Sequence, residues 1–437
     1  MNRIILIGNG FDLAHGLKSS YNDFLINLWS QILKEITFKP NTSHHIGSHS
    51  MVNVSIANEN FYKFNTVKNY QGFKSVFCVN ETNWSSKFRN KFLYAITEEN
   101  LKTWYDVEEI YYELLCNCSK LTSRKLKSEI KKINITINKL NDDFKDIQNR
   151  LELYLNDIQK EYEENEDIIK RQDEIYEHIY SQFNKNDFTT EGYELISNDE
   201  YSQFQTYLKY GYHNPSNPFD EETKMKYKEL QFYGNYENRE YFQRQLNLHP
   251  YNFDLLPDNI MFLNFNYTLT DKYYDNPIHA TTKNIKTTKV HIHGELNNQK
   301  NPIIFGYGDE LCDRYNELEK LKDNHYLENI KSIKYLNTDN YKKVLSFIDS
   351  EPYQIFIFGH SCGNSDRTLL NTLFEHENCY SIKPFYYKWD ETDENGKTES
   401  NDNYSDMVRN ISRCFDKKSM MRKKVVDKTH CQPLRSI

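Results

Sequence analysis

The residues best suited to chemistry form a few short polar motifs, and the first is a glycine-rich stretch near the N-terminus. It reads GNGFDLAHG, directly after an apolar run, and its candidate ligand contacts are Gly8, Asn9, Gly10, Phe11 and Asp12. Small residues at such a turn let backbone N–H groups approach a pyrophosphate, as in dinucleotide-binding folds. The spacing departs from GxGxxG because the third glycine comes late and the next helix is expected near residue 20. An ordinary strand-to-helix turn therefore remains an alternative.

Two further motifs follow later apolar runs. Asn266 and Tyr267 come directly after one of them, at the carboxyl end where open α/β sheets bind ligands. A turn asparagine is the alternative for Asn266. His291 and His293 alternate at another strand end and are expected on one face. A catalytic or ligand-contacting role for His293 competes with a purely structural one. No third ligand for a metal is identifiable, so no metal is predicted.

The last motif, GHSCG, follows the strongest late strand and has two interpretations. In the first, Gly359, His360 and Ser361 form a second turn beside the N-terminal one and contact ribose or phosphate, with Asp366 close behind. In the second, Ser361 is the nucleophile of a G-x-S-x-G elbow, with an acid such as Asp390 and a base such as His430. The elbow leaves the N-terminal glycines unexplained. We therefore favour the nucleotide turn.

Short apolar runs predict the strands that must position these motifs. The predicted strands are Arg3–Ile7, Asn259–Phe265, Lys289–His293, Pro302–Phe305, Tyr353–Phe358 and Ser381–Trp389. The helical patterns between or after them are Tyr341–Ile348, Asp366–His376 and Ser405–Phe415. An earlier helix is expected after Ser20, a suitable N-cap. Strands that alternate with helices indicate an α/β fold with a doubly wound, mostly parallel sheet.

The sheet is interrupted in the sequence by a long helical stretch. Residues 1–80 are predicted to hold the first part of the nucleotide-binding domain, 81–249 a helical insertion and 250–437 the second part, with 41–80 weakly structured. Apolar residues recur in steps of four and three from Leu126 to Tyr162. This heptad seam predicts a long coiled-coil helix. Its expected partner is the segment from Ile168 to Leu208, or a second copy of the chain.

The overall composition restricts the class of protein. The 437 residues carry a formal net charge of −8, which makes nucleic acid an unlikely ligand. Eight cysteines without paired spacing indicate reduced thiols. Neither a signal peptide nor an apolar run of membrane-spanning length is recognisable. We expect a cytoplasmic protein that is not bound to a membrane.

Taken together, five motifs resemble the AbiH family of bacterial abortive-infection proteins. They are GNGFDLAHGL, FLNFNYT, VHIHGEL, IIFGYGDE and FIFGHSCGNSDRTLL. The resemblance covers residues 2–22 and about 254–434. The motif order is also similar, more distantly, to the sirtuin-like NAD-binding fold.

The sirtuin-like similarity implies roles for individual residues. Gly8, Gly10 and Asp12 would form the first nucleotide loop, and Gly359 and Ser361 would form the late turn. Asn266 and His293 would stand at the positions of the catalytic asparagine and histidine. Asp12 replaces the serine of that fold, and Thr268 replaces its aspartate. The zinc ribbon of deacylating sirtuins is absent, which favours NAD hydrolysis over deacylation.

The resemblance leads to a functional expectation with two alternatives. We expect an anti-phage protein that binds NAD or a related nucleotide and hydrolyses the nicotinamide–ribose bond, with Asn266 orienting water and His293 acting as base or relay. The first alternative is a nucleotide sensor without catalysis, and the second a serine hydrolase. The insertion is expected to mediate homo-oligomer formation or to bind a defence partner.

Overall fold

The computed structural model describes residues 1–77, 87–99, 101, 103–121, 126–168, 170–249, 253, 255–275, 285–392 and 396–434. The strands are β1 (Asn2–Ile7), β2 (Thr37–Pro40), β3 (His44–Ser48), β4 (Asn53–Ala57), β5 (Asn259–Asn264), β6 (Lys286–His291), β7 (Tyr353–Phe358), β8 (Cys379–Phe385), β9 (Lys388–Thr392) and β10 (Thr398–Asp402). The helices of the N-terminal half are α1 (Asn9–Ala14), α2 (Tyr21–Glu35), α3 (Tyr70–Phe77), α4 (Lys91–Glu98), α5 (Trp104–Cys118), α6 (Ser128–Lys131), α7 (Ile137–Glu164), α8 (Asp173–Tyr180) and α9 (Thr190–Tyr210). Those that follow are α10 (Glu221–Tyr233), α11 (Arg239–Leu248), α12 (Asp313–Lys320), α13 (Lys331–Lys334), α14 (Asn340–Ser350), α15 (Arg367–Glu375), α16 (Tyr404–Arg413) and α17 (Lys418–Lys424).

The centre of the fold is a five-stranded parallel sheet with the order β6-β5-β1-β7-β8. All six residues of β1 are buried, as a strand covered on both faces requires. Ile4 and Leu6 belong to one core cluster with α14, α15 and α16. Ile5 and Ile7 belong to another cluster with α1 and α8. The predicted α/β class with helices on both sides of the sheet is confirmed.

Several predicted strands are confirmed, whereas others differ. β1, β5 and β7 lie where the apolar runs predict them. The predicted strand Pro302–Phe305 is wrong, because its backbone pairs outside the sheet: Ile304 N–H donates to the carbonyl of His293 at 2.7 Å. The run Ser381–Trp389 divides into β8 and the hairpin strand β9.

The segments before and after α2 also differ from expectation. α1 begins at Asn9, so the predicted open loop up to Ser20 contains a short helix. The side chain of Ser20 does cap α2 and accepts a hydrogen bond from Asp23 N–H. Residues 41–77 are not merely loop, because β3 and β4 lie there and form an antiparallel sheet with the preceding β2.

The helical stretch is built differently from a coiled coil with a single partner. α7 begins at Ile137, where the side chain of Thr136 caps it, and not near Leu126. Its buried positions, among them Phe144 and Leu151, lie in one core with α2, α4 and α5. The predicted partner segment Ile168–Leu208 is therefore wrong: α8 covers the central sheet, while α9, α10 and α11 have their own core. Pairing of α7 with a second copy of the chain stays a prediction. The domain boundaries at residues 80 and 249 stay a prediction.

The fully buried guanidinium of Arg3 connects the sheet to the end of α8 through hydrogen bonds. The Nη1 of Arg3 donates to the carbonyls of Ile179 and Ser181 at 2.8 Å each, and its Nε donates to Gln354 Oε1 at 3.1 Å. The guanidinium also lies 4.6 Å from the ring centre of Phe356. Only a planar guanidinium with several N–H donors can reach the sheet residue Gln354 and the carbonyls at the end of α8 at the same time.

We therefore expect Arg3→Lys to lower the free energy of unfolding by about 2–3 kcal/mol, because a single ammonium cannot replace the forked donors of a buried network. Urea unfolding measures the change. The control is Arg413→Lys on an exposed part of α16, which should stay within about 0.5 kcal/mol. Equal effects of the two substitutions would contradict the structural role of Arg3.

Candidate functional site

A cavity of about 500 Å³ lies at the carboxyl ends of the parallel strands. Its volume is within the range of small-molecule and cofactor sites. The predicted site residues that line it are Gly8, Asn9, Gly10, Asp12, Asn266, Tyr267, His293, Gly359, His360, Ser361 and Asp366. The parallel sheet thus brings together motifs that are more than 350 residues apart in the sequence.

Phe11 is the predicted contact that does not line the cavity. Its ring is completely buried under the sheet, 5.5 Å from the ring of Tyr274 and 6.2 Å from that of Phe358. Because α1 begins at Asn9, the Phe11 side chain points into the core. Its role here is packing.

The glycines serve a purpose that differs from the predicted one. Gly8 N–H donates to the carbonyl of Phe358 at 3.0 Å, and Gly10 N–H donates to that of Gly359 at 2.9 Å. A Cβ on Gly8 would lie 2.4 Å from the Cα of His360, and one on Gly10 would lie 2.8 Å from the Cα of Gly359. These two amides are therefore already engaged, and the glycines allow the two loops to pack against each other.

Asp12 and Asn266 form hydrogen bonds between the glycine-rich segment after β1 and the loop after β5. Both carboxylate oxygens of Asp12 accept hydrogen bonds, from the hydroxyls of Thr268 and Thr270, at 2.6 Å each. Asn266 Nδ2 donates to the carbonyl of Gly8 at 3.0 Å. Burial raises the pKa of Asp12 to about 6, although the hydrogen bonds from the threonines favour its charged form.

His293 lies beyond the end of β6 and reaches a buried acid. Its Nε2 is 3.1 Å from Asp366 Oδ1 and 3.1 Å from the hydroxyl of Tyr335. Burial, together with the positive charge of Lys331, lowers the pKa of His293 to about 4. His293 is therefore neutral at pH 7. His291, by contrast, contacts Asp271, so the two histidines bind different carboxylates.

Sequence reasoning missed the two charged residues that complete this group. Lys331 Nζ lies 2.9 Å from Asp366 Oδ1 and 2.8 Å from Glu108, and all three side chains are buried. Burial alone would raise the pKa of Asp366, but Lys331 and His293 hold it well below its usual range. Burial raises the pKa of Glu108 to about 7. Nothing local in the sequence distinguishes Glu108 from the adjacent Glu109.

Residues 4–388 match a family model described as "Bacteriophage abortive infection AbiH". This span contains the five-stranded sheet, apart from the first two residues of β1, and most of the residues that line the cavity. The chain belongs to the AbiH family. The match supports a role in bacterial abortive infection as a defence against phage.

Searches of the curated proteins and of the solved structures gave no match. Within the described part of this AbiH chain, no helix combines the length and the apolar character that a membrane span needs.

The serine-hydrolase alternative for this AbiH chain lacks an assembled triad. In an elbow the nucleophile occupies the strained position, but here the positive φ of 52° belongs to the buried Cys362 rather than to Ser361. The two histidines that follow Ser361 in the sequence contact other acids: His376 lies 3.1 Å from Asp349, and His430 lies 2.8 Å from Asp427. Asp390 is exposed on β9.

We expect a fluorophosphonate probe to leave Ser361 unlabelled, because only an activated serine reacts. Mass spectrometry of the treated protein measures this, with Ser361→Ala as the matched control. Stoichiometric labelling that disappears in Ser361→Ala would establish a nucleophilic serine.

A second prediction concerns Asp12, whose folded pKa lies above its unfolded value of 3.8. The Asp12 carboxyl binds its proton more tightly in the folded state than in the unfolded state. The stability that the bound proton contributes is therefore fully present below the unfolded pKa and is lost as the pH rises through about 6. The free energy of unfolding of the wild type, minus that of Asp12→Asn, should fall by about 2 kcal/mol between pH 4 and pH 7. Urea titrations at several pH values measure the difference. A difference that does not vary with pH would refute the burial of an ionisable Asp12.

Proposed function

We propose that this AbiH chain hydrolyses the nicotinamide–ribose bond of NAD, and that loss of NAD is how it acts in abortive infection. The observation that carries the proposal is that Asn266 and the neutral, buried His293 line one cavity with both glycine loops. Hydrolysis of this bond needs a held dinucleotide, an oriented water and a group that accepts a proton. The cavity offers candidates for each role.

His293 has the protonation state that a base needs. A carboxylate can only accept hydrogen bonds, so the Nε2–H of neutral His293 is directed to Asp366. Nδ1 then carries the lone pair, and no described residue donates a hydrogen bond to it. This nitrogen is the one that would receive a proton from water or from a ribose hydroxyl. Asp366 fixes the tautomer in this arrangement.

The electrostatics of the cavity suit a positively charged transition state. Cleavage of a glycosidic bond passes through an oxocarbenium-like state, in which positive charge spreads onto the sugar. The ionised Asp366 is buried in the lining of the cavity, where a fixed charge acts more strongly than in water, and Lys331 at 2.9 Å balances part of that charge. Asn266 supplies a neutral amide in the same lining, held by its hydrogen bond to the carbonyl of Gly8. The part of the Asp366 charge that Lys331 leaves unbalanced would stabilise the developing cation.

The test is the release of nicotinamide from NAD by the purified protein, with and without phage components. We expect Asn266→Ala and His293→Ala to reduce the rate by about a hundredfold or more, the usual range for a lost acid–base group. His376→Ala is the control, because this histidine lies against Asp349 and does not line the cavity. Unaltered melting temperatures would show that the variants fold.

Two measurements together separate hydrolysis from binding without catalysis. Stable NAD at high protein concentration, with phage components present, would reject the proposal. If NAD nevertheless raised the melting temperature, the site would be that of a nucleotide sensor without catalysis, because a ligand that binds only the native state must stabilise it.

A further inference from the structure

The lining of the cavity includes an exposed aromatic side chain. Tyr387 lines the cavity, and 52% of its surface is accessible. Its ring stacks on that of Trp389, with centroids 5.5 Å apart and planes 15° apart. Phe385 and Leu434 add apolar surface to the same lining. An exposed aromatic platform beside an apolar cleft is suited to a flat ligand.

The backbone holds Tyr387 in place. Tyr387 N–H donates to Asn403 Oδ1 at 2.7 Å, and Asn403 N–H donates to the carbonyl of Tyr387 at 3.0 Å. The next residue back, Tyr386, accepts a hydrogen bond from Leu434 N–H at 2.7 Å. The ring is therefore presented from a fixed backbone, which reduces the entropy lost when a ligand stacks on it.

Two parts of the cavity lining differ in chemistry. His293, Lys331, Asp366 and Glu108 are buried and ionisable, whereas Tyr387 in the same lining is exposed. On the proposed function, the bond that breaks must lie beside His293, so the nicotinamide half lies against the buried groups. The rest of the dinucleotide is then left for the exposed part of the lining, which includes Tyr387.

We propose that Tyr387 forms a base-binding subsite in which the adenine of the dinucleotide stacks on its ring. This inference rests on the proposed function for the placement of the two halves. Stacking of a base on an aromatic side chain tolerates different bases, because every base offers a π-face. Tyr387 is thus a specificity residue for a ligand that carries a second planar base, rather than a catalytic residue.

The test uses AMP and nicotinamide mononucleotide, which represent the two halves separately, and reads binding from thermal shift titrations. We expect Tyr387→Ala to weaken the binding of AMP by about fivefold or more and to leave the mononucleotide unaffected. Tyr387→Phe keeps the ring and should keep the affinity for AMP. Tyr62→Ala, at a tyrosine with 65% of its surface exposed and outside the cavity lining, is the matched control.

The outcomes separate this inference from hydrolysis. Equal affinity for AMP in the wild type and in Tyr387→Ala would overturn the subsite, and so would a wild-type protein that AMP does not stabilise. If the expected AMP pattern appears but no nicotinamide is released from NAD, the subsite stands and the proposed hydrolysis falls.

Discussion

The site depends on a contact between two loops that leaves no room for side chains. Gly8 and Gly10 after β1 lie directly against Gly359 and His360 after β7, and the Gly8 and Gly10 amides donate across the contact. Gly359 has a φ of 71°, a conformation that costs other residues free energy. Asn266 adds the loop after β5 through its bond to the Gly8 carbonyl. Three strand ends are therefore fixed relative to one another before any ligand binds.

This rigid frame makes it possible to bury several charges in the wall of the cavity. Lys331 lies between Glu108 and Asp366, and one ionised carboxylate is enough to balance its charge. Asp366 carries that charge because it also faces His293 and His360, whereas burial and the negative charge of Asp366 favour the protonated form of Glu108. Lys331 also disfavours a proton on His293. The two carboxylates thus differ in protonation because of their neighbours, not because of their type.

The sequence predicts the fold and the strand-end residues well, because both follow from local patterns. The apolar run of β1 and the asparagine after β5 are examples: parallel strands end at one edge, so polar residues there must converge. Glu108 and Lys331 leave no such trace, since their burial depends on how helices pack hundreds of residues away in the sequence. The strand prediction at Pro302–Phe305 is wrong because an apolar run does not specify the strand with which it pairs. Strand pairing, like the burial of Glu108 and Lys331, depends on distant parts of the chain.

The helical stretch cannot be considered separately from the site. α2, α4, α5 and α7 share one apolar core with residues that follow the sheet strands, such as Phe305. From this core α5 places Glu108 against Lys331, and α7 places Leu155 in the lining. Removing one partner of a buried ion pair leaves an uncompensated charge and costs several kcal/mol, about 3–5 in other proteins. A displacement of α5 would therefore separate Glu108 from Lys331 and change the charges of Glu108 and Asp366. Because Asp366 also contacts His293, the surroundings of His293 would change as well.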